Sequence, residues 1–139
     1  MNKVLLDTDI FSEILKRKNK KVIENAKTYH ANFGKHTIST ITVMEIVKGF
    51  HKLHRENSLQ KFLNALPDVE ILTMDLQSSI MAGRIYGDLE RTGQPIGRAD
   101  PMIAAIALQH DLTVVTGNIK HYERIQNLGY DLKLDNWKS

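Results

Sequence analysis

The chain has 139 residues, 42% of them hydrophobic and 25% charged, with 8 glycines, 3 prolines and no cysteine. These values describe one globular domain spanning 1–139, and the missing cysteines exclude disulfides, thiol nucleophiles and thiolate-held zinc or iron–sulfur, leaving oxygen or nitrogen ligands for any metal. A formal charge of +3 is compatible with an anionic partner without requiring one.

The start, MNKVLLDTDIF, has acids at Asp7 and Asp9 where a signal peptide needs a long apolar core, and no apolar run approaches the length of a membrane span. A cytoplasmic protein with no membrane contact is expected. Val4 to Leu6 reads as a strand ending at Asp7, followed by a helix over Ile10 to Leu15. The next helical spacing covers residues 20 to 32. His36 to Ser39 reads as a strand feeding a helix from Thr40 to Leu53.

Leu59, Phe62, Leu63 and Leu66 form a further helical stripe stopped by Pro67. Val69 to Leu72 is the next strand, and Asp75 is placed to cap a helix reaching Arg91, ended by Thr92-Gly93-Gln94-Pro95. Asp100-Pro101 makes a strong helix start, with Asp100 as the cap, before the MIAAIAL segment, which is apolar on nearly all sides and therefore buried. Leu112 to Val115 is a strand, Thr116-Gly117-Asn118 a turn, His121 to Ile125 a short helix and Tyr130 to Leu134 a last strand. This alternation predicts an α/β/α three-layer sandwich around a mainly parallel sheet, with ligands outside the carboxyl ends of the strands.

Four segments place polar residues at such ends or in half-buried settings. Asp7 follows VLL, Glu45 lies among Ile41, Val43, Met44, Ile46 and Val47, Asp100 precedes the most apolar helix, and Thr116 and Asn118 follow a VV strand. Each has a structural alternative: Asp7, Asp9 and Asp100 as helix caps, Glu45 as an exposed or paired acid, Asn118 as a turn residue. If they converge, gathered carboxylates repel one another unless a cation compensates them. Oxygen ligands without sulfur suit magnesium or manganese, ions that activate water and stabilise charge on a phosphate, so phosphodiester hydrolysis is the chemistry that fits. His51 and His54 share a helical face without forming a zinc motif, and the glycines form no phosphate-binding loop.

Basic residues cluster at 16 to 21, KRKNKK, and more loosely at Lys48, Lys52, Arg55 and Lys61. A solvated surface explains such runs, and so does a track for phosphates. Lys16, Arg17, Lys18, Lys48, Lys52 and Arg98 are the candidate contacts for the phosphates of an anionic partner.

The blocks VLLDTDIF, STITVMEIVKG, QPIGRADPMIAAIAL and TVVTGNIKHYERIQNL, in this order, resemble the PIN-domain ribonucleases and specifically the VapC toxins of toxin–antitoxin pairs. The resemblance covers nearly the whole chain. It implies a small α/β/α nuclease in which Asp7, Glu45 and Asp100 are the catalytic, metal-holding carboxylates for Mg2+ or Mn2+. It further implies that Asn118 stands where relatives often carry an acid and meets the metal through water, while Thr116 supports the cluster. Asp9 departs from the asparagine usual in the first block. The implied substrate is structured RNA, foremost a transfer RNA near its anticodon loop, which makes Lys16, Arg17, Lys18, Lys48, Lys52 and Arg98 the expected RNA contacts. The implied partners are a small antitoxin whose terminal segment enters the site, a second copy in a homodimer, and operator DNA only through the antitoxin within a hetero-oligomer. Apolar residues of Ile10 to Leu15 and Val43 to Phe50 are available for such contacts. A PIN-like DNA nuclease and a non-catalytic binding module are the alternatives.

Overall fold

A computed structural model describes residues 1–94 and 98–139; Pro95, from the expected helix exit, lies outside the described residues. Five short strands occur among them: β1 (Val4–Leu6), β2 (Thr37–Ser39), β3 (Glu70–Leu72), β4 (Thr113–Val115) and β5 (Leu134–Asp135). All pairings are parallel, β1 with β4, β4 with β5 and β2 with β3. The helices are α1 (Thr8–Lys16), α2 (Lys20–Phe33), α3 (Thr40–Lys52), α4 (Glu56–Ala65), α5 (Leu76–Arg91), α6 (Asp100–Gln109) and α7 (Ile119–Asn127). A 3-10 turn at Leu66–Asp68 carries the chain through Pro67.

The strands are short, and the paired β1 and β4 are largely apolar, as expected where both sheet faces are covered. Leu5 and Val114 face a core built with Ala82, Ile85, Leu89, Ile103, Ile106 and Ile125 from α5, α6 and α7. Their neighbours Leu6 and Val115 face the opposite core, with Ile10, Phe11, Val22, Ala26, Ile46 and Phe62 from α1 to α4. This alternation produces the expected three layers.

No ladder joins β1 to β2 among the described residues, although the two lie side by side. The buried Tyr29 hydroxyl bridges them, accepting from the Val4 amide at 3.3 Å and lying 3.1 Å from Thr37 Oγ1. Thr37 Oγ1 in turn donates to Glu70 at 2.8 Å, and Lys3 reaches the same carboxylate at 2.7 Å. Side chains thus substitute for backbone pairing at the amino end of the sheet.

Two expectations need correction. Asp100 is not the cap of α6: Ala99 takes that position, Asp100 lies in the first turn, and no side chain caps the helix. Pro101 accounts for this, because a ring inside the first turn fixes helical geometry where a free amide is not needed. The last strand is Leu134–Asp135 rather than Tyr130 to Leu134, since the chain first turns through Gly129 at φ +104°. α6 is buried along most of its length, from Ile103 to Ala107, as its composition requires. Among the described residues no helix is long and apolar enough to cross a membrane.

Candidate active site

Asp7 sits at the carboxyl end of β1, where its amide donates to Val115 O at 2.9 Å and so extends the β1–β4 ladder. Its side chain is only 5% exposed. Oδ1 accepts from the Thr8 amide at 2.8 Å, capping α1, and Oδ2 accepts from Thr116 Oγ1 at 2.8 Å. The Asn118 amide donates to that same Thr116 oxygen at 2.9 Å, which leaves the hydroxyl proton to point at Asp7. Thr116 therefore acts on Asp7 directly, whereas Asn118 contributes through its backbone.

Asp9 faces the same turn from α1. Its Oδ2 accepts from the Gly117 amide at 2.8 Å and lies 3.8 Å from Lys138 Nζ. A side chain at Gly117 would collide here, because an added Cβ would stand 2.5 Å from Asp9 Oδ2 and 3.2 Å from Lys138 Nζ. Asp100, also nearly buried, accepts from Arg98 Nε at 3.1 Å and lies 3.5 Å from His121 Nδ1.

Glu45 belongs to a neighbouring arrangement on α3. Thr8 Oγ1 donates to it at 2.6 Å and stands 3.0 Å from Thr42 Oγ1, so Thr8 joins Asp7 through its amide and Glu45 through its hydroxyl. Beyond Glu45 opens a groove of about 500 Å³ between α1, α3 and α4, floored by Leu15, Ile46, Phe50 and Phe62 and edged by Lys16, Arg55 and Lys61. Of the expected RNA contacts, Arg98 is on an acid and Lys16 on the groove, while Arg17, Lys18, Lys48 and Lys52 are exposed.

The electrostatics single out Asp7. Its pKa is raised from 3.8 to about 6, chiefly by burial and further by the charges of Asp9 and Asp100, with the Thr116 and Thr8 hydrogen bonds offsetting part of the rise. Asp7 thus lies buried in the field of two further acids, where an added positive charge would stabilise its ionised form. Among the described residues no three His, Asp or Glu side chains close into a ready chelate. Arg98 is instead on Asp100 and Thr8 on Glu45.

A family model for the PIN domain matches residues 4–127. The chain is 33% identical to the tRNA(fMet)-specific endonuclease VapC of Salmonella typhimurium, over 99% of each chain. The chain belongs to the VapC family of PIN-domain ribonucleases. Two solved structures extend the likeness to the fold. DNA-bound VapBC from Salmonella typhimurium gives a TM-score of 0.81 at 33% identity over 99% of both chains. VapBC2 from Rickettsia felis, bound to a DNA fragment from its promoter, gives 0.81 at 28% identity, covering 98% of this chain and 99% of the other. This VapC-family chain carries site neighbours that pattern reading does not identify: Thr8, His121, Tyr122 and Lys138. His121 and Tyr122 lie within a block already noted for its family likeness, and Lys138 follows the buried Trp137 at the far end of the sequence.

Proposed function

We propose that this chain is a Mg2+- or Mn2+-dependent endoribonuclease toxin that hydrolyses transfer RNA near the anticodon loop in the cytoplasm and is held inactive by a small antitoxin. The observation that carries this reading is the buried Asp7 carboxylate, pushed up to about 6 by burial and by two neighbouring acids. Such a site is short of positive charge, and hard oxygen donors fit a hard divalent cation.

Asp7 and Asp100 are the carboxylates that would hold the ion, with Glu45 completing the set from α3 and Asn118 reaching it through water. When bound, the ion supplies activation of water and neutralisation of charge on the scissile phosphate. Thr116 and the Thr8 amide fix both oxygens of Asp7, so that this carboxylate needs little reorganisation. The Gly117 amide holds Asp9 beside it. Arg98 has a half-exposed side chain, which lets it leave Asp100 for a phosphate of the substrate. Lys16, Arg17, Lys18, Lys48 and Lys52 steer the polyanion toward the acidic centre.

The name of the Salmonella typhimurium relative makes tRNA(fMet) the first substrate to test. The VapBC complexes among similar structures support an antitoxin partner, with operator DNA reached through it. The apolar groove beside Glu45 suits the antitoxin's terminal segment, where Leu15, Ile46 and Phe50 meet apolar side chains and Lys16, Arg55 and Lys61 meet acids. A second copy of the chain completes the hetero-oligomer, and the exposed Leu76 and Ile80 on α5 offer it an apolar stripe.

The test is cleavage of end-labelled tRNA(fMet), total tRNA and duplex DNA by chain purified free of partners, with Mg2+, Mn2+ or EDTA. Metal-dependent cuts in tRNA leaving 5'-phosphate and 3'-hydroxyl ends are expected. A 2',3'-cyclic phosphate, or undiminished cutting in EDTA, sinks the mechanism, and cleavage confined to DNA sinks the substrate.

A further inference from the structure

Tyr122 is a fully buried residue on α7, packed in the core shared by α5, α6 and α7, yet its hydroxyl has no hydrogen-bond partner among the described residues. A buried hydroxyl left unpaired costs free energy that phenylalanine would avoid. Burial first, then the charges of Asp7 and Asp100, push the phenol well above its usual range, so it keeps its proton and can donate. It lies near the Asp7 carboxylate without completing a hydrogen bond. The adjacent His121 stands 3.5 Å from Asp100, so consecutive residues of α7 address the two acids.

We propose that Tyr122 is a positioning residue, its hydroxyl a third donor that closes onto the Asp7 carboxylate when the site is loaded with a divalent cation. Each Asp7 oxygen already accepts one bond, from the Thr8 amide or from Thr116, and retains a free lone pair. A third donor fixes the carboxylate's rotation, and the partners that orient a metal-holding carboxylate control its affinity for the ion. The unpaired hydroxyl of the unloaded site is then a preorganised part of the loaded one. This inference rests on the cation-dependent reading of the site and concerns a residue outside the carboxylate set.

Calorimetric titration of Mn2+ into the parent chain and Tyr122→Phe, in the absence of RNA, is the test. About tenfold weaker Mn2+ binding is expected for Y122F, with a melting temperature in EDTA no lower than the parent's. In tRNA cleavage, kcat is expected to fall while KM is unchanged. A purely structural hydroxyl would alter melting alone, so parental Mn2+ affinity and kcat in Y122F overturn the proposal. If the parent itself binds no Mn2+, the reading of the site fails together with this inference; if the parent binds and Y122F binds equally, only the inference fails. Should Y122F not fold, proton NMR of the unmodified chain decides: a protected Tyr122 hydroxyl proton is expected with saturating Mg2+, and its absence overturns the proposal.

Discussion

Two carboxylates at opposite ends of the strand layer have opposite fates. Glu70, at the amino end, accepts from Lys3 and Thr37, and its pKa is lowered, chiefly by the Lys3 hydrogen bond. Asp7, at the carboxyl end, has hydrogen bonds of similar length but no cation, and burial with two neighbouring acids raises it to about 6. Hydrogen bonds alone do not compensate a buried charge. The first carboxylate is structural because its charge is already matched, whereas the second retains a demand for positive charge that suits it to a divalent ion.

The largest break in this contrast is expected from Asp7→Asn or Asp100→Asn. A cation that stabilises phosphate charge is worth several kcal/mol, so tRNA cleavage should fall about a thousandfold or more while RNA binding persists. Parental rates in either variant would remove these acids from the mechanism.

The next effect concerns stability and its sign. The folded Asp7 has a raised pKa, so the folded state binds a proton more tightly than the unfolded chain, and stability falls as pH rises from 3.8 to about 6. That gap corresponds to about 3 kcal/mol at higher pH. In EDTA at pH 7.5, Asp7→Asn is therefore expected to melt above the parent, and the difference should vanish below pH 4. Glu70 runs the other way: its lowered pKa adds stability that is present above the usual 4.5 and lost as pH falls below it. Its partner is a partly exposed lysine, so Glu70→Gln is expected to cost only about 0.5 kcal/mol at neutral pH.

Between these lies Gly117→Ala. The added carbon would displace Asp9 and Lys138, and about tenfold weaker Mn2+ binding is expected by calorimetry. Unchanged affinity would show that Asp9 plays no part in shaping the site.

Much of this contrast was legible in the chain. Asp7 after VLL, Asp100 before an apolar helix and Thr116 after a VV strand are local patterns, and parallel strands carry such residues to one end of the sheet. The stripe from Met102 to Leu108 announced a buried helix. The partners that set the charges were not legible, because they join residues far apart in sequence: Thr116 to Asp7, Lys138 to Asp9, Lys3 to Glu70. Asp100 misled as a cap because Asp-Pro starts many helices, whereas here the helix begins one residue earlier and the carboxylate is left for Arg98. The role of Tyr29 was equally hidden, because its hydroxyl bridges two strands that share no ladder.

The most direct test is the Mn2+ dependence of the melting temperature at pH 7.5 for the parent chain and Asp7→Asn. In EDTA the parent is expected to melt below the variant, and added Mn2+ is expected to raise the parent steeply while scarcely moving the variant, because an ion that binds only the folded site stabilises it by mass action. A variant that melts below the parent in EDTA, or that gains as much from Mn2+ as the parent does, would contradict the claim that Asp7 is an uncompensated carboxylate held for a cation.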